Sequence, residues 1–464
     1  MNRAMNASAG DPLQSLSCRL VEMARASGAA DADALAISNT GESVSVRNGK
    51  VESVEREDAR GVGLRTFIQT TNGPAFATAS SSDLSDAGLE RLVAQTLAMA
   101  KISEADPDAI SPSGADHPAA DEQQAWEKSH ITEDHGWDTA TAREMALACE
   151  DSALTCCKEI TNSEGAEAGF GDSAVAYACA DGFVASYNNA SVSLSASVIA
   201  GSGEKMQRDY AWHSARHPRA LNSAESIGQE AARRASRRLG ATDIRGGPMT
   251  VIFEPRVATS LIGHLITAIN GLSVLQKRTF LASSKGKKIF PEFINIMDNP
   301  DHPQGMGNRL FDGEGTRCRH TRIVEQGQLK TFLTNRYAAN RLGSQSTGHA
   351  RRGLTGDIGI GTSNSILMPG HTSIEALLLE TGSGLLVTEL MGFGINGVTG
   401  DYSRGAAGFL IDNGEISQPV QGITIAGNLQ AMFANISGLG DDLTWFGSSA
   451  VPSIVITGMT VAGQ

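Results

Sequence analysis

The chain has ten histidines, a residue type that can hold a catalytic metal. A hydrolytic zinc ion needs two or three imidazole, carboxylate or thiolate ligands and an open position for water. It also needs a general base, usually a glutamate beside a ligand histidine. None of the ten histidines is followed by glutamate, so the chain contains neither HExxH nor HExxxH. His213 and His217 stand four apart, but Pro218 disfavours helix in the residue before it, and no acidic neighbour offers a base. His130 and His135 read as a casual surface pair, and Cys318 with His320 alternates with arginines as on a strand. The six cysteines have no CxxC spacing, which argues against a ribbon-type zinc site and for buried free thiols.

Other motifs carry less. Gly392, Gly394 and Gly397 satisfy GxGxxG, but the continuation VTGDYSRGAAGF is too rich in glycine for the helix that a dinucleotide site requires. Within it, Asp401, Tyr402, Ser403 and Arg404 form the densest polar cluster. Two readings stand: a structural turn locked by Asp401 and Arg404, or a loop that touches a peptide, ligand or subunit. Ser403 has no GxSxG elbow and no local histidine, which argues against a serine nucleophile.

The elements that must position these residues are read from periodicity. Leu13, Leu16, Leu20 and Met23 share a helical face, and further helices are expected over Leu84–Lys101, Thr141–Cys157, Ala224–Leu239 and Val257–Ile269. Arg233, Arg234, Arg237 and Arg238 sit where cations favour the helix dipole, and Gly240 supplies a stop. Asn48-Gly49 and Asn72-Gly73 predict hairpins, and Asp181-Gly182 a turn in a meander. Met249–Phe253, Leu385–Leu390, Gly408–Ile411, Ile423–Ile425 and Ile454–Val461 read as strands. The fold class is therefore α+β. An N-terminal α+β domain over 1–103, with hairpins and packing helices, leads to an acidic linker over 104–135. A middle α+β segment over 136–244, able to pack with the first domain, precedes a mainly antiparallel β domain over 245–464. The linker, with nine acidic residues, one lysine and three prolines, reads as an exposed connector. An acidic docking patch is the functional alternative.

Composition narrows the partners. A net charge of −13 disfavours nucleic acid, whose phosphates require a basic face. No run of about 18 apolar residues suggests a membrane span. The first residues, MNRAMNASAGDP, lack the apolar core of a signal peptide, so a cytoplasmic location is expected.

Long segments of the chain resemble one family. GLLVTELMGFGINGVTGDYSRGAAGFLIDNGEISQPVQGITIAGNLQAMFANI, NRLFDGEG at 308–315, TNRYAANRLGSQSTGHA at 334–350 and the terminal MTVAGQ are similar to the TldD/PmbA metallopeptidases, in particular the PmbA (TldE) branch. The resemblance implies a cytoplasmic zinc peptidase built from two related subunits. In the TldD branch a helix carries HExxxH, and a cysteine near the C-terminus completes the metal site. Thr259 then stands for the first histidine, Ser260 for the glutamate, and Gly263 and His264 match; Ser448 and Ser449 lie near the C-terminus, where no cysteine is found. The expectation is a chain without a metal of its own, His264 surviving as a core residue, paired with a zinc-bearing TldD-type subunit. Unfolded peptide is the implied substrate, held by strand addition to a sheet edge. A homodimer is left open. Two alternatives remain: a self-sufficient peptidase with an unrecognised metal site, and a regulatory peptide-binding protein.

Overall fold

The computed structural model describes residues 11–129 and 135–463. His130, the first ten residues and Gln464 lie outside them. An N-terminal sheet takes the order β3-β2-β1-β4-β5-β6, antiparallel throughout. Its strands are β1 (Asp31–Arg47), β2 (Lys50–Thr70), β3 (Gly73–Ser81), β4 (Ile160–Cys179), β5 (Val184–Ala200) and β6 (Gln207–Ala215). Strands from both sides of 104–135 thus pair directly, β1 with β4. Asn48 and Gly49 both take positive φ and close the β1–β2 hairpin, as the dipeptide predicts. In the next hairpin the register closes at Thr70 opposite Gly73, so the two-residue loop is Thr71-Asn72, one position earlier than expected.

Strand parity explains the layers. On β1, Ala32, Ala34 and Ala36 pack against helices α1 (Pro12–Ala26) and α2 (Asp86–Ile102), while Val44 and Val46 pack under another helical pair further along. Odd-numbered Leu35 faces the other way and joins Tyr177, Cys179, Leu310 and Phe311, which brings the C-terminal part of the chain onto this face. Small alanines on the helix side let the helices sit close to the sheet.

The described residues of segment 104–135, which are 104–129 and 135, depart from the expected exposed connector. The segment carries α3 (Ala120–Ser129), whose Trp126 is buried in the cluster with Leu35 and Phe311. Its acidic residues meet arginines from far along the chain: Asp108 pairs with Arg341 at 2.6 Å and Glu122 with Arg317 at 2.7 Å. Those partners cannot be seen in local composition, which is why the segment reads as solvated.

Helices α4 (Thr139–Thr155) and α5 (Ala224–Arg237) lie over β4 and β5. The arginines at the end of α5 do more than complement its dipole. Arg234 is buried against Asp209 and Glu254, and Arg238 and Arg256 also reach Asp209. These ion pairs tie the N-terminal lobe to the residue that precedes the next helix, α6 (Pro255–Ala268).

In the C-terminal part, β7 (Gly247–Phe253) pairs in parallel with strand Gly384–Met391 and antiparallel with Ile454–Ala462. Strand Asp401–Asp412 bridges Gly384–Met391 and Glu415–Asn428, and the last of these also pairs with Ile454–Ala462. The sheet therefore closes into a ring of five strands, mainly antiparallel as expected, with strand Ile436–Leu439 attached outside. Closure uses up sheet edges that strand addition by a peptide would need. A second six-stranded sheet, containing Ile296–Asp298, Ser365–Leu367 and Ser449–Val451, stands beside it.

Candidate functional site

Helix α6 starts on Pro255, whose fixed φ suits the first helical position. Val257, Ala258, Leu261, Ile262 and Leu265 bury one face in the main C-terminal core, and the helix packs on the strands at 384–391 and 444–451. Thr259 Oγ1 donates to the Arg256 carbonyl at 2.8 Å, and Ser260 Oγ donates to the Val257 carbonyl at 2.7 Å. Both hydroxyls are thus turned back onto their own helix. Ser449, on the neighbouring strand, shares a hydrogen bond of 2.9 Å with Ser365.

His264 lies four residues after Ser260, on the same face of the helix. Its ring meets Tyr402 edge to face, with centroids 6.1 Å apart. Tyr402 and Arg404 are brought to it by strand Asp401–Asp412, not by a turn or loop. Gly405 and Gly408 permit that strand: a Cβ on Gly408 would stand 1.9 Å from the Leu386 carbonyl oxygen of the neighbouring strand. Alternation along the strand also separates Asp401 from Arg404, which point to opposite sides. Asp401 instead accepts from Thr399 Oγ1 at 2.6 Å and from Asn428 at 3.3 Å, and these bonds hold its carboxyl below the ordinary range. Asp401 and Ser403 are exposed, and Tyr402 is buried.

The polar atoms around His264 are unevenly matched. His264 Nε2 is buried and no hydrogen-bond partner is found for it among the described residues, whereas the Tyr402 hydroxyl and the Arg404 guanidinium interact with each other. Burial lowers the pKa of His264, and the nearby Arg404 guanidinium lowers it further. Burial pushes the Tyr402 phenol up to about 12, against the pull of Arg404.

This donor set does not fit a hydrolytic zinc ion. One imidazole is joined by a phenol, two hydroxyls engaged with their own helix and a guanidinium, which places positive charge beside the imidazole. No carboxylate follows to take a proton from water.

The remaining histidines are dispersed. His213 Nδ1 accepts from the Asn222 backbone amide at 3.1 Å on β6, and His217 Nδ1 accepts from that of Arg219 at 3.1 Å, so the pair does not share a helix. His135 stands 3.5 Å from Asp172. Cys318 Sγ donates to the Gly348 carbonyl. Gly392, Gly394 and Gly397 fall between two antiparallel strands, with no helix opening after them. A group that sequence reasoning missed lies on the N-terminal sheet, where His117, Cys179 and Asp181 converge; Asp181 carried only the signal of a turn.

Comparison with known proteins agrees with this architecture. Models of the PmbA/TldA metallopeptidases match domain 1 over residues 32–100, the central domain over 134–239 and the C-terminal domain over 246–463. The Escherichia coli O157:H7 protein named metalloprotease PmbA is 38% identical over 95% of this chain and 94% of its own length. A Haemophilus influenzae PmbA homologue is 35% identical over 96% of this chain and 94% of its own. The crystal structure of TldE from Thermococcus kodakarensis superposes with a TM-score of 0.84 at 20% identity, covering 96% of this chain and 99% of that one. The chain belongs to the PmbA/TldD metallopeptidase family, on its PmbA (TldE) branch.

Proposed function

We propose that this chain is the non-catalytic subunit of a PmbA/TldD-type metallopeptidase. It pairs with a TldD-type subunit that carries HExxxH and the catalytic zinc, and together they cleave unfolded peptides. The observation that carries the reading is the state of α6: Thr259 and Ser260 spend their hydroxyls on helix carbonyls, and Arg404 brings positive charge beside His264. One imidazole without a neighbouring base binds zinc weakly and cannot activate water. The outward, exposed side chains of Asp401 and Ser403 support this strand as a contact for peptide or for the other subunit. Among the described residues no helix is long and apolar enough to cross a membrane, and we place the complex in the cytoplasm.

The test is to mix the purified chain with a TldD-type subunit and measure complex formation and peptide cleavage. The reading expects a complex whose cleavage rate differs from that of the partner alone. Absence of both would refute it. The names of the relatives, metalloprotease PmbA and its homologue, favour a second reading in which the chain hydrolyses peptides unaided. Turnover by the isolated chain would select that reading.

A further inference from the structure

His117, Cys179 and Asp181 are brought together by topology. Cys179 ends β4, Asp181 sits in the turn to β5, and His117 comes from the segment before α3. Their potential ligand atoms all lie within 4.8 Å of one another. His117 Nε2 stands 3.1 Å from Asp181 Oδ2 and 3.7 Å from Cys179 Sγ, which in turn is 3.0 Å from Asp181 Oδ1. Around a tetrahedral ion with bonds of about 2.0–2.3 Å, ligand atoms stand about 3.3–3.8 Å apart. Movements of a few tenths of an ångström would convert the cluster.

The surroundings already orient the ligands. His117 Nδ1 lies 2.8 Å from the Gly315 carbonyl oxygen, which can only accept, so Nδ1 carries a proton and Nε2 faces the cluster. The ring is stacked on Phe183 at 4.0 Å between centroids, nearly parallel. Asp181 is held by the backbone amides of Gly114 and Phe183. In this tautomer a neutral imidazole would turn a lone pair toward a carboxylate. That lone pair, an Asp181 oxygen and Cys179 Sγ converge within 4.8 Å, an arrangement that a cation would complete.

We propose that His117, Cys179 and Asp181 bind a zinc ion. Nitrogen, sulfur and oxygen together favour zinc over calcium or magnesium, which take oxygen ligands. Binding exchanges the Cys179 S–H for an S–Zn bond and releases that proton to solvent. Cys179 is buried, whereas Asp181 keeps 27% and His117 15% of its side chain exposed, which leaves a side open for water as fourth ligand. The ion staples the turn after β4 to the 104–135 segment and, through Gly315, to the C-terminal part. It is independent of the α6 position.

The full-length chain, stripped of metal and titrated with Co²⁺, tests this. The site predicts one saturable equivalent with a thiolate-to-cobalt charge-transfer band, displaced by Zn²⁺. Cys179→Ser should abolish the band, His117→Gln should weaken binding at least about tenfold by removing one ligand, and His264→Ala should change neither. No saturable band in the wild type, a band that survives Cys179→Ser, or one lost in His264→Ala would each overturn the proposal. If Cys179→Ser does not fold, unchanged affinity in His117→Gln overturns it equally.

Discussion

The ring of His264 meets that of Tyr402 edge to face, with 6.1 Å between centroids and 71° between planes. The histidine that the family motif would make a ligand is thus packed as a neighbour of a buried phenol. Burial first, and Arg404 second, lower its pKa from the ordinary value. A proton titration of the His264 ring by NMR should give a midpoint below the ordinary value of about 6.5. Arg404→Met should move that midpoint upward. An unchanged midpoint would show that Arg404 does not act on this imidazole.

Asp33 joins the two parts of the chain. Arg352 Nη1 donates to its Oδ1 at 2.7 Å, Arg65 Nη2 to its Oδ2 at 2.6 Å, and the Tyr177 hydroxyl to Oδ2 at 2.9 Å. Breaking a buried pair from one side costs about 3–5 kcal/mol, and Arg352→Met should lower unfolding stability in urea by that order. Burial alone would raise the Asp33 pKa, but the charges of Arg352 and Arg65 prevail and hold it below the ordinary range. Its contribution is therefore complete above the unfolded value of about 3.9 and is lost as pH falls through the lower folded value. Wild-type stability should drop steeply in that acid window, and Arg352→Met should flatten the drop.

Two helical glycines should behave oppositely. A Cβ on Gly228 of α5 would stand 2.2 Å from the Cys149 carbonyl oxygen of α4, so these helices touch through that glycine. Gly228→Ala should destabilise by about 1–3 kcal/mol as an overpacked site. Around Gly263 of α6 nothing lies within 4 Å of the added carbon. There alanine should gain up to about 1 kcal/mol of helix propensity. Urea denaturation of the two variants decides both.

Local signals were legible where local physics decides. Asn48-Gly49 gives its hairpin away, and Leu89, Leu92, Val93 and Leu97 mark the buried face of α2. Of Asp401–Asp412 only Gly408–Ile411 reads as a strand, because the polar, glycine-rich run before it reads as a turn or loop, although Gly408 itself serves close strand approach. Longer-range relationships left no trace. Nothing near Asp108 or Glu122 announces Arg341 or Arg317, and His117 meets Cys179 only once the chain has folded across 62 residues. The state of α6 was legible in a different sense: missing residue types can be read from sequence, but the presence of Arg404 beside His264 cannot.

Peptide cleavage by the isolated chain in the presence of zinc, wild type against His264→Ala, is the most direct test of a subunit without a catalytic metal at α6. Metal content alone would not serve, since the cluster at His117 offers a separate place for an ion. The expected result is no turnover by either protein. Zinc-dependent turnover in the wild type that disappears in His264→Ala would contradict the account.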